Sequence, residues 1–395
     1  MQPFKGIRVI DFTHVYAGPF ATFQLGILGA EVIKVESPEM PDQMRSEGVD
    51  AALNAAGLGT NYLINNQGKK AITLNIKSDE GIEIARKLIE SADVVVENYS
   101  GTLKRAGLGA DRAMQLNPRL IYCEMSGFGE ENRLAGRPAY DPVVQAASGM
   151  MSVNGESDQE FMRVGPPLID YGTGAQTAFA IASALYQRTV TGKGQTIEAN
   201  MLDAALVMMS PLVANAAYAG KTDTRSGNVP PGRPGYGVYE CSDAAIMLGA
   251  FSERHHRRLF TLLNLSADLD LPESASLDWV RDNAQLIRKA IQERMLKNTA
   301  LQWETILNDA DIPASRVRDL HEMLENEQAN RAAHSQFHRF DGQSITAPIA
   351  AFRFADGGPE LDVRCARHGE DTESVLSDLG YDTESIRQLK QQAIV

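Results

Sequence analysis

Apolar residues in the first third of the chain fall in short, dense runs separated by polar turns. "GIRVIDF" (6–12), rich in β-branched residues, predicts a buried strand. "THVYAGP" (13–19) then turns, and Pro19 suits the first turn of a helix over Phe20–Leu28. "AEVIKVE" (30–36), "AITLNIK" (71–77), "DVVVEN" (93–98) and "RLIYCEM" (119–125) predict four further strands. Ser78 follows the third strand as a helix N-cap, with Asp79 and Glu80 in the first turn. Ile82, Ala85, Leu88 and Ile89 give that helix an apolar stripe. Strands alternating with helices predict an α/β fold with a mostly parallel sheet covered on both faces.

The pattern then changes. Helix dominates from residue 170 to about 220, broken by one alternating strand, "QTIEAN" (195–200). "RSGNVPPGRPGYG" (225–237) is rich in Gly and Pro and marks a domain boundary or a functional loop. "GVYECSDAAIMLGAF" (237–251) reads as a hairpin. Polar helical material follows to about His334, with "DADI" as a helix end and "IPASRV" as a short extended break. Strand character returns in "SITAPIAAFRF" (344–354), and a charged helix is expected over Asp382–Gln392.

The chain has 395 residues, two or three domains' worth, and at that size needs no covalent staples. A net charge of −13 argues against nucleic acid or a membrane surface as a general partner, while a small anionic ligand needs only a few local cations. Cys123, Cys241 and Cys365 are far apart, odd in number and outside any CxxC, so neither a disulfide frame nor structural zinc is expected. No HExxH or paired-carboxylate metal motif is present. The start, "MQPFKGIRVIDF", lacks signal-peptide character and no 18-residue apolar run exists, so the expected compartment is the cytoplasm.

Candidate chemistry narrows slowly. The first strand–turn–helix, with Glu36 closing the second strand, mimics a dinucleotide-binding unit, but its turn carries one glycine where G-x-G-x-x-G needs three. A doubly wound sheet holding another ligand at its strand ends fits better. His14 is the histidine at a strand end; it either faces a ligand or holds the turn. No G-x-S-x-G supplies a hydrolase nucleophile. Lys34, Lys69, Lys70, Lys77, Arg105 and Arg137 lie near predicted strand ends or in loops; singly they read as surface charges, together as a lining for a phosphate-rich ligand. Asp170, in "GPPLIDYGTGAQ" (165–176), stands out. If a helix starts near Thr173, the carboxylate lies at its positive end, which favours the ionised form. A plain N-cap explains that placement too. Gly172 and Gly174 exceed what a cap needs; they suit a substrate approaching the carboxylate, or backbone N–H groups holding an oxyanion.

"IRVIDFTHVYAGPFATFQLGILGAEVIKVESP", "NQGKKAITLNIKSDEG", "ADVVVENYSGTLKRAGL", "NPRLIYCEMSGFG", "RPAYDPVVQAASGMM" and "TGKGQTIEANMLDAAL" resemble, in order, the landmarks of the class III CoA-transferases (the CaiB/BaiF group). The resemblance runs from about residue 4 to 210 and more thinly beyond. It implies a Rossmann-like large domain, a smaller α+β domain and an interlocked homodimer. The expected division is a CoA-binding domain over 1–220, a small domain with linkers over 221–335, and a segment over 336–395 returning to the large domain. The resemblance makes Asp170 the nucleophile: it attacks an acyl-CoA thioester to form a mixed anhydride, then an enzyme-bound thioester, before CoA passes to an acceptor carboxylic acid. Coenzyme A and acyl-CoA are thus substrates, with no tightly bound cofactor and no metal. Backbone near Gly249 is implied as an oxyanion donor. Tyr16, Leu74, Lys77, Asn98, Tyr99, Arg105, Arg137, Tyr140 and Met201 match CoA-contacting positions, with Asn75 in place of an Asp, and Asp141 matches an acidic position near the active site. Acyl-CoA racemases of the same fold use a histidine in an "A-G-H-D" segment; here the stretch is "AGRPAYD", which disfavours that alternative. A non-catalytic CoA-binding protein is the third reading. The acyl group is not legible, although Arg225 and Arg233 in the Gly/Pro loop suit a second carboxylate.

Overall fold

The computed structural model describes residues 1–395 apart from 100, 131, 221–223, 268, 270–275, 326–332, 339–343, 361 and 363. It divides into two compact units. The first comprises Met1–Ser148, Val164–Ala214 and Glu327–Val395, and the second Gly149–Arg163 and Asn215–Asn326. Residues 149–163 and 215–220, expected within 1–220, therefore cluster with the second unit, and the division falls between Ala214 and Asn215 rather than at 220–221.

In the first unit six strands form one parallel sheet: β1 (Arg8–Phe12), β2 (Glu31–Glu36), β3 (Lys70–Thr73), β4 (Val94–Glu97), β5 (Ile121–Ser126) and β6 (Gln195–Asn200). Their order is β3-β2-β1-β4-β5-β6, so the winding reverses between β1 and β4. Alternate residues face opposite sides. Ile10, Phe12, Ile33, Ile72 and Val95 pack with Ile84, Leu88 and Ile89 of the helix Asp79–Ser91, and with Val375, Leu376, Ile386 and Leu389. Val9, Val32, Val94, Ile121 and Cys123 pack on the other face with Leu25, Ile181 and Leu185. Ser78 caps its helix by accepting from Gly81 N, as its position predicts. The charged helix is Thr383–Gln391, with Asp382 as its cap.

Three expected boundaries shift. The helix after β1 runs Ala17–Gly26, starting ahead of Phe20. "AITLNIK" is strand only through Thr73: Leu74 N still donates to Glu36 O at 2.8 Å, and Asn75, whose carbonyl accepts from Ser78 N at 3.2 Å, begins the turn. The helix carrying Asp170 starts at Leu168, directly after Pro167, and runs to Thr191. Where polar helix was expected to reach His334, a strand β10 (Ala333–His338) pairs antiparallel with β11 (Ser344–Ala350).

The second unit holds an antiparallel sheet ordered β7-β8-β9: β7 (Tyr236–Glu240), β8 (Ala245–Gly249) and β9 (Ala314–Arg316). The hairpin is the expected one, and "IPASRV" contributes the third strand. Tyr239, Ile246 and Leu248 pack with Leu259, Ile287, Ile291, Trp303 and Leu307 from its helices. Among the described residues no single helix is long and apolar enough to cross a membrane.

Candidate active site

In an open α/β sheet the reversal of strand order leaves a crevice at the carboxyl ends of the strands. Here that crevice is built by the residues leaving β1 and β4. Asn98 Oδ1 accepts from His14 N and Asn98 Nδ2 donates to His14 O, both at 3.0 Å. The His14 ring stacks on Tyr99 with centroids 4.8 Å apart. Burial holds the His14 imidazole below its usual pKa, so it is neutral at pH 7. Val15 has φ 70°, a left-handed conformation that costs a β-branched residue on the order of 1–3 kcal/mol. The turn is over-determined by its supports. Val15 N donates to Asp42 Oδ1 at 3.2 Å, and Asp42 Oδ2 pairs at 3.0 Å with Lys34, both side chains being fully buried. Lys34 Nζ also donates to Thr13 O at 2.7 Å. Burial works against the Lys34 charge, but Asp42 and Asp11 outweigh it and raise its pKa.

This pairing corrects one expectation. Lys34 and Lys69 do not line a phosphate site. Lys69 is buried against Asp11 at 2.9 Å and donates to Pro19 O, Thr22 Oγ1 and Asn66 Oδ1. Burial pushes the Asp11 carboxyl up, but Lys69 and Lys34 outweigh it and hold it below the usual range. Lys70 pairs with Glu31 at 2.7 Å. These cations neutralise carboxylates that the sheet itself brings together.

Asp170 is the third residue of the helix Leu168–Thr191, and it is only 7% exposed. It does not cap the helix. Asp141, at the start of the helix Asp141–Ala147, does so from 29 residues away: its Oδ2 accepts from Ile169 N at 2.6 Å and from Asp170 N at 3.1 Å. Its Oδ1 accepts from Gln145 Nε2 at 2.5 Å, and Gln145 Oε1 accepts from Val164 N at 2.8 Å, which fixes the approach to the helix. Among the described residues no side chain or amide donates to the Asp170 carboxylate, so both oxygens are left for a ligand. Burial, then the charge of Asp141, raises its pKa to about 7. The expectation that the helix start keeps it ionised is therefore overturned: the positive helix end is outweighed by desolvation and a neighbouring carboxylate.

The two glycines also have another reason. A Cβ on Gly174 would lie 2.6 Å from Ala17 O and 2.9 Å from the Phe20 ring, and one on Gly172 would lie 2.6 Å from Met208 Sδ. Gly174 thus lets the backbone of the helix Ala17–Gly26 come close, while the neighbour at Gly172 is the flexible end of the Met208 side chain. Gly249, the implied oxyanion donor, lies in β8 of the second unit and its N–H already donates to Pro313 O at 2.7 Å.

Asp170 lines a cleft of about 260 Å³ in the first unit, together with His14–Ala17, Asn98, Met125–Gly127, Arg137–Tyr140 and Met201. Of the expected CoA-contacting positions, Tyr16, Asn98, Arg137, Tyr140 and Met201 share this cleft. Tyr99 lies behind it against His14. Leu74 is a core side chain, while Lys77 and Arg105 are exposed outside the lining, Arg105 donating to Thr102 Oγ1 at 2.9 Å. Burial, with Tyr171 and Asp170 nearby, raises the Tyr16 phenol to about 12, so it is a donor at neutral pH. The roles of Val15, Asp42 and Gln145 were not read from the sequence; the "DPVVQ" spacing, Asp141 to Gln145 one helical turn apart, was the available signal for the last. Among the described residues no group of three or more His, Cys, Asp or Glu is placed to hold a metal ion.

Residues 4–372 match the family described as CoA-transferase family III. A mouse (Mus musculus) succinyl-CoA:glutarate CoA-transferase is 30% identical over 399 residues, covering 100% of this chain and 91% of the relative. An acetyl-CoA:oxalate CoA-transferase from Acetobacter aceti is 33% identical over 322 residues, 81% of this chain and 82% of the relative. A crystal structure of a CaiB/BaiF family protein from Brucella suis superposes with a TM-score of 0.82 at 28% identity, covering 96% of this chain and 99% of that one.

Proposed function

The chain belongs to CoA-transferase family III, and from that premise we propose that it carries out transfer through Asp170 as a covalent nucleophile. The observation that carries this reading is the Asp170 carboxylate: buried, facing the cleft, and free of protein donors among the described residues, with Asp141 taking the helix cap. A carboxylate in such a place is poorly solvated, which favours attack. Its oxygen adds to the thioester carbonyl, the C–S bond breaks, and CoA leaves as thiolate, giving an aspartyl–acyl mixed anhydride. The thiolate then attacks the Asp170 carbonyl carbon, releasing the donor acid and leaving an aspartyl-CoA thioester. An acceptor carboxylate attacks that thioester, CoA thiolate leaves again, and its return to the acceptor's carbonyl yields the new acyl-CoA and free Asp170. No net proton or electron is exchanged.

The Tyr16 phenol and neutral His14 border the reacting end of the cleft. Asn98, Tyr140 and Met201 flank the thioester arm in this reading, Arg137 meets an anionic group, and Lys77 and Arg105 take CoA phosphates farther out. A bound carrier with no resident cofactor follows from the same chemistry. The acids named for the two relatives, succinate, glutarate and oxalate, are dicarboxylates, and we extend that class to this chain. A homodimer belongs to the proposal as well: Phe179, Tyr186 and Val190 are more than 70% exposed along one side of the helix Leu168–Thr191, an apolar stripe that a second copy would bury.

Mass spectrometry after incubation with an acyl-CoA tests the nucleophile. A hydroxylamine-sensitive adduct is expected on Asp170, with exchange abolished in Asp170→Ala. Full exchange in that variant overturns the proposal. Deuterium entering the α-position without any acceptor acid would instead establish the racemase chemistry.

A further inference from the structure

The Gly/Pro loop of the second unit has a use that the transfer reaction does not absorb. Val229–Pro234, residues 281–286 and Arg288, all of that unit, line an open cavity of about 590 Å³. Arg233, Arg281 and Arg288 all line it. The three are not equivalent. Arg281 is satisfied by Asp278 at 2.8 Å and Asp282 at 3.3 Å on the exposed rim. Arg233 and Arg288 have no carboxylate within ion-pair distance among the described residues. Each is instead held by its face: the Arg233 guanidinium lies 4.1 Å from the Phe251 ring centroid, and that of Arg288 lies 4.9 Å from Tyr239.

Face stacking fixes a guanidinium in its plane with its N–H groups at the edge, the geometry that matches a planar, two-oxygen anion; in Arg288 one of those groups, Nη2, donates to Val238 O at 3.5 Å. Arg288 Nη1 carries the sharper signal. It is buried and has no hydrogen-bond partner among the described residues, a state that costs free energy unless something completes it. The opposite wall is the start of the helix Ala284–Met295. Its cap residue, Asn283, turns its side chain back to Trp279 O and supplies no acceptor to the first helical turn. A twelve-residue helix presents partial positive charge there. Arg225, the other arginine of the loop, is engaged elsewhere, stacked on Phe161 and donating to Gln159 O at 2.8 Å. In a chain of net charge −13, two arginines without a carboxylate partner among the described residues and an uncapped helix start around one cavity form a local reversal of sign.

We propose that this cavity is an oxyanion-binding site, taking a carboxylate or phosphate group between the edges of Arg233 and Arg288, separate from the residues that line the Asp170 cleft. The test is calorimetric titration of the full chain at constant ionic strength with succinate and, separately, inorganic phosphate, using chloride as the background ion. Wild type and Asp170→Ala should both show saturable binding. Arg288→Met and Arg233→Gln should each weaken it at least about tenfold, the loss expected for one charge-assisted contact. Binding of succinate alone identifies the ligand group as a carboxylate, and binding of phosphate alone identifies it as a phosphate. Loss of binding in Asp170→Ala would place the anion in the other cleft and overturn the proposal. So would the absence of saturable binding in wild type, or unchanged affinity in a folded Arg233→Gln or Arg288→Met.

Discussion

Replacing Asp170 with Asn should stabilise the protein, and the gain should depend on pH in a calculable way. The Asp170 carboxyl rises from 3.8 to about 7 on folding. A group whose folded pKa is raised holds its proton more tightly in the native state. Its contribution to stability is fully present below the unfolded pKa and is lost as pH climbs through the folded one. Above about pH 7 the full shift, about three units at 1.36 kcal/mol each, costs the native state about 4 kcal/mol. At pH 5 the same two pKa values give a cost of about 1.7 kcal/mol. Asn never ionises, so it escapes both costs, and any fixed penalty for a buried amide cancels between the two conditions. The stability difference between Asp170→Asn and wild type should therefore be about 2.5 kcal/mol larger at pH 8 than at pH 5. Urea unfolding at the two pH values measures it directly. For 395 residues, at about 2.1 cal/mol/K each, this corresponds to a melting-temperature gap wider by about 3 °C. Equal differences at both pH values would show that Asp170 folds without a raised pKa and would remove the electrostatic account of the site.

The same titration should govern rate: if ionised Asp170 attacks, kcat/KM for the acyl-CoA donor should rise through about pH 7 and then level, and a flat profile between pH 5.5 and 8.5 would contradict this. Asp141→Asn keeps an oxygen for Ile169 N and Asp170 N but removes a charge, so the rising limb should move to lower pH; an unmoved limb would show that the carboxylates do not interact. Lys69→Met strands Asp11 in the core and should cost about 3–5 kcal/mol in urea unfolding, whereas a loss below about 1 kcal/mol would mean that the pair is dispensable.

Much of the sheet was legible because its strands are uninterrupted β-branched runs bounded by turn residues, and each such run in the first 200 residues became a parallel strand. The start of the Asp170 helix was misplaced for the opposite reason. The expected start near Thr173 lies past Gly172, yet the helix already runs from Leu168 through both glycines, and the backbone of Ala17 comes close enough to Gly174 to leave no room for a Cβ there. The charge state of Asp170 was misjudged because the local signal, a helix start, is visible in the sequence, whereas Asp141 and the burying segments are distant along it. Lys34 and Lys69 looked like surface charges for the same cause: Asp11 lies 58 residues from Lys69, and only the sheet brings them to 2.9 Å.

The residues that follow the second unit along the chain bear on how the protein is made. Asp371 accepts from Ala71 N and donates its own N–H to Ala71 O, both at 2.9 Å, so it covers the open edge of β3. Val375, Leu376, Ile386 and Leu389 complete one face of the six-stranded sheet, and Ile394 O accepts from Asn75 N at 2.7 Å. On a ribosome adding about 5–20 residues per second, the sheet strands through β6 are therefore synthesised well before the segment that seals them. For that interval β3 presents an unpaired edge and an uncovered apolar face, while Asn215–Asn326 passes out with nearly all of the second unit's own core. Residues 371–394 thus act as the closing step of biosynthetic folding. Truncation upstream of them should yield a chain that clings to chaperones or aggregates rather than a smaller working enzyme.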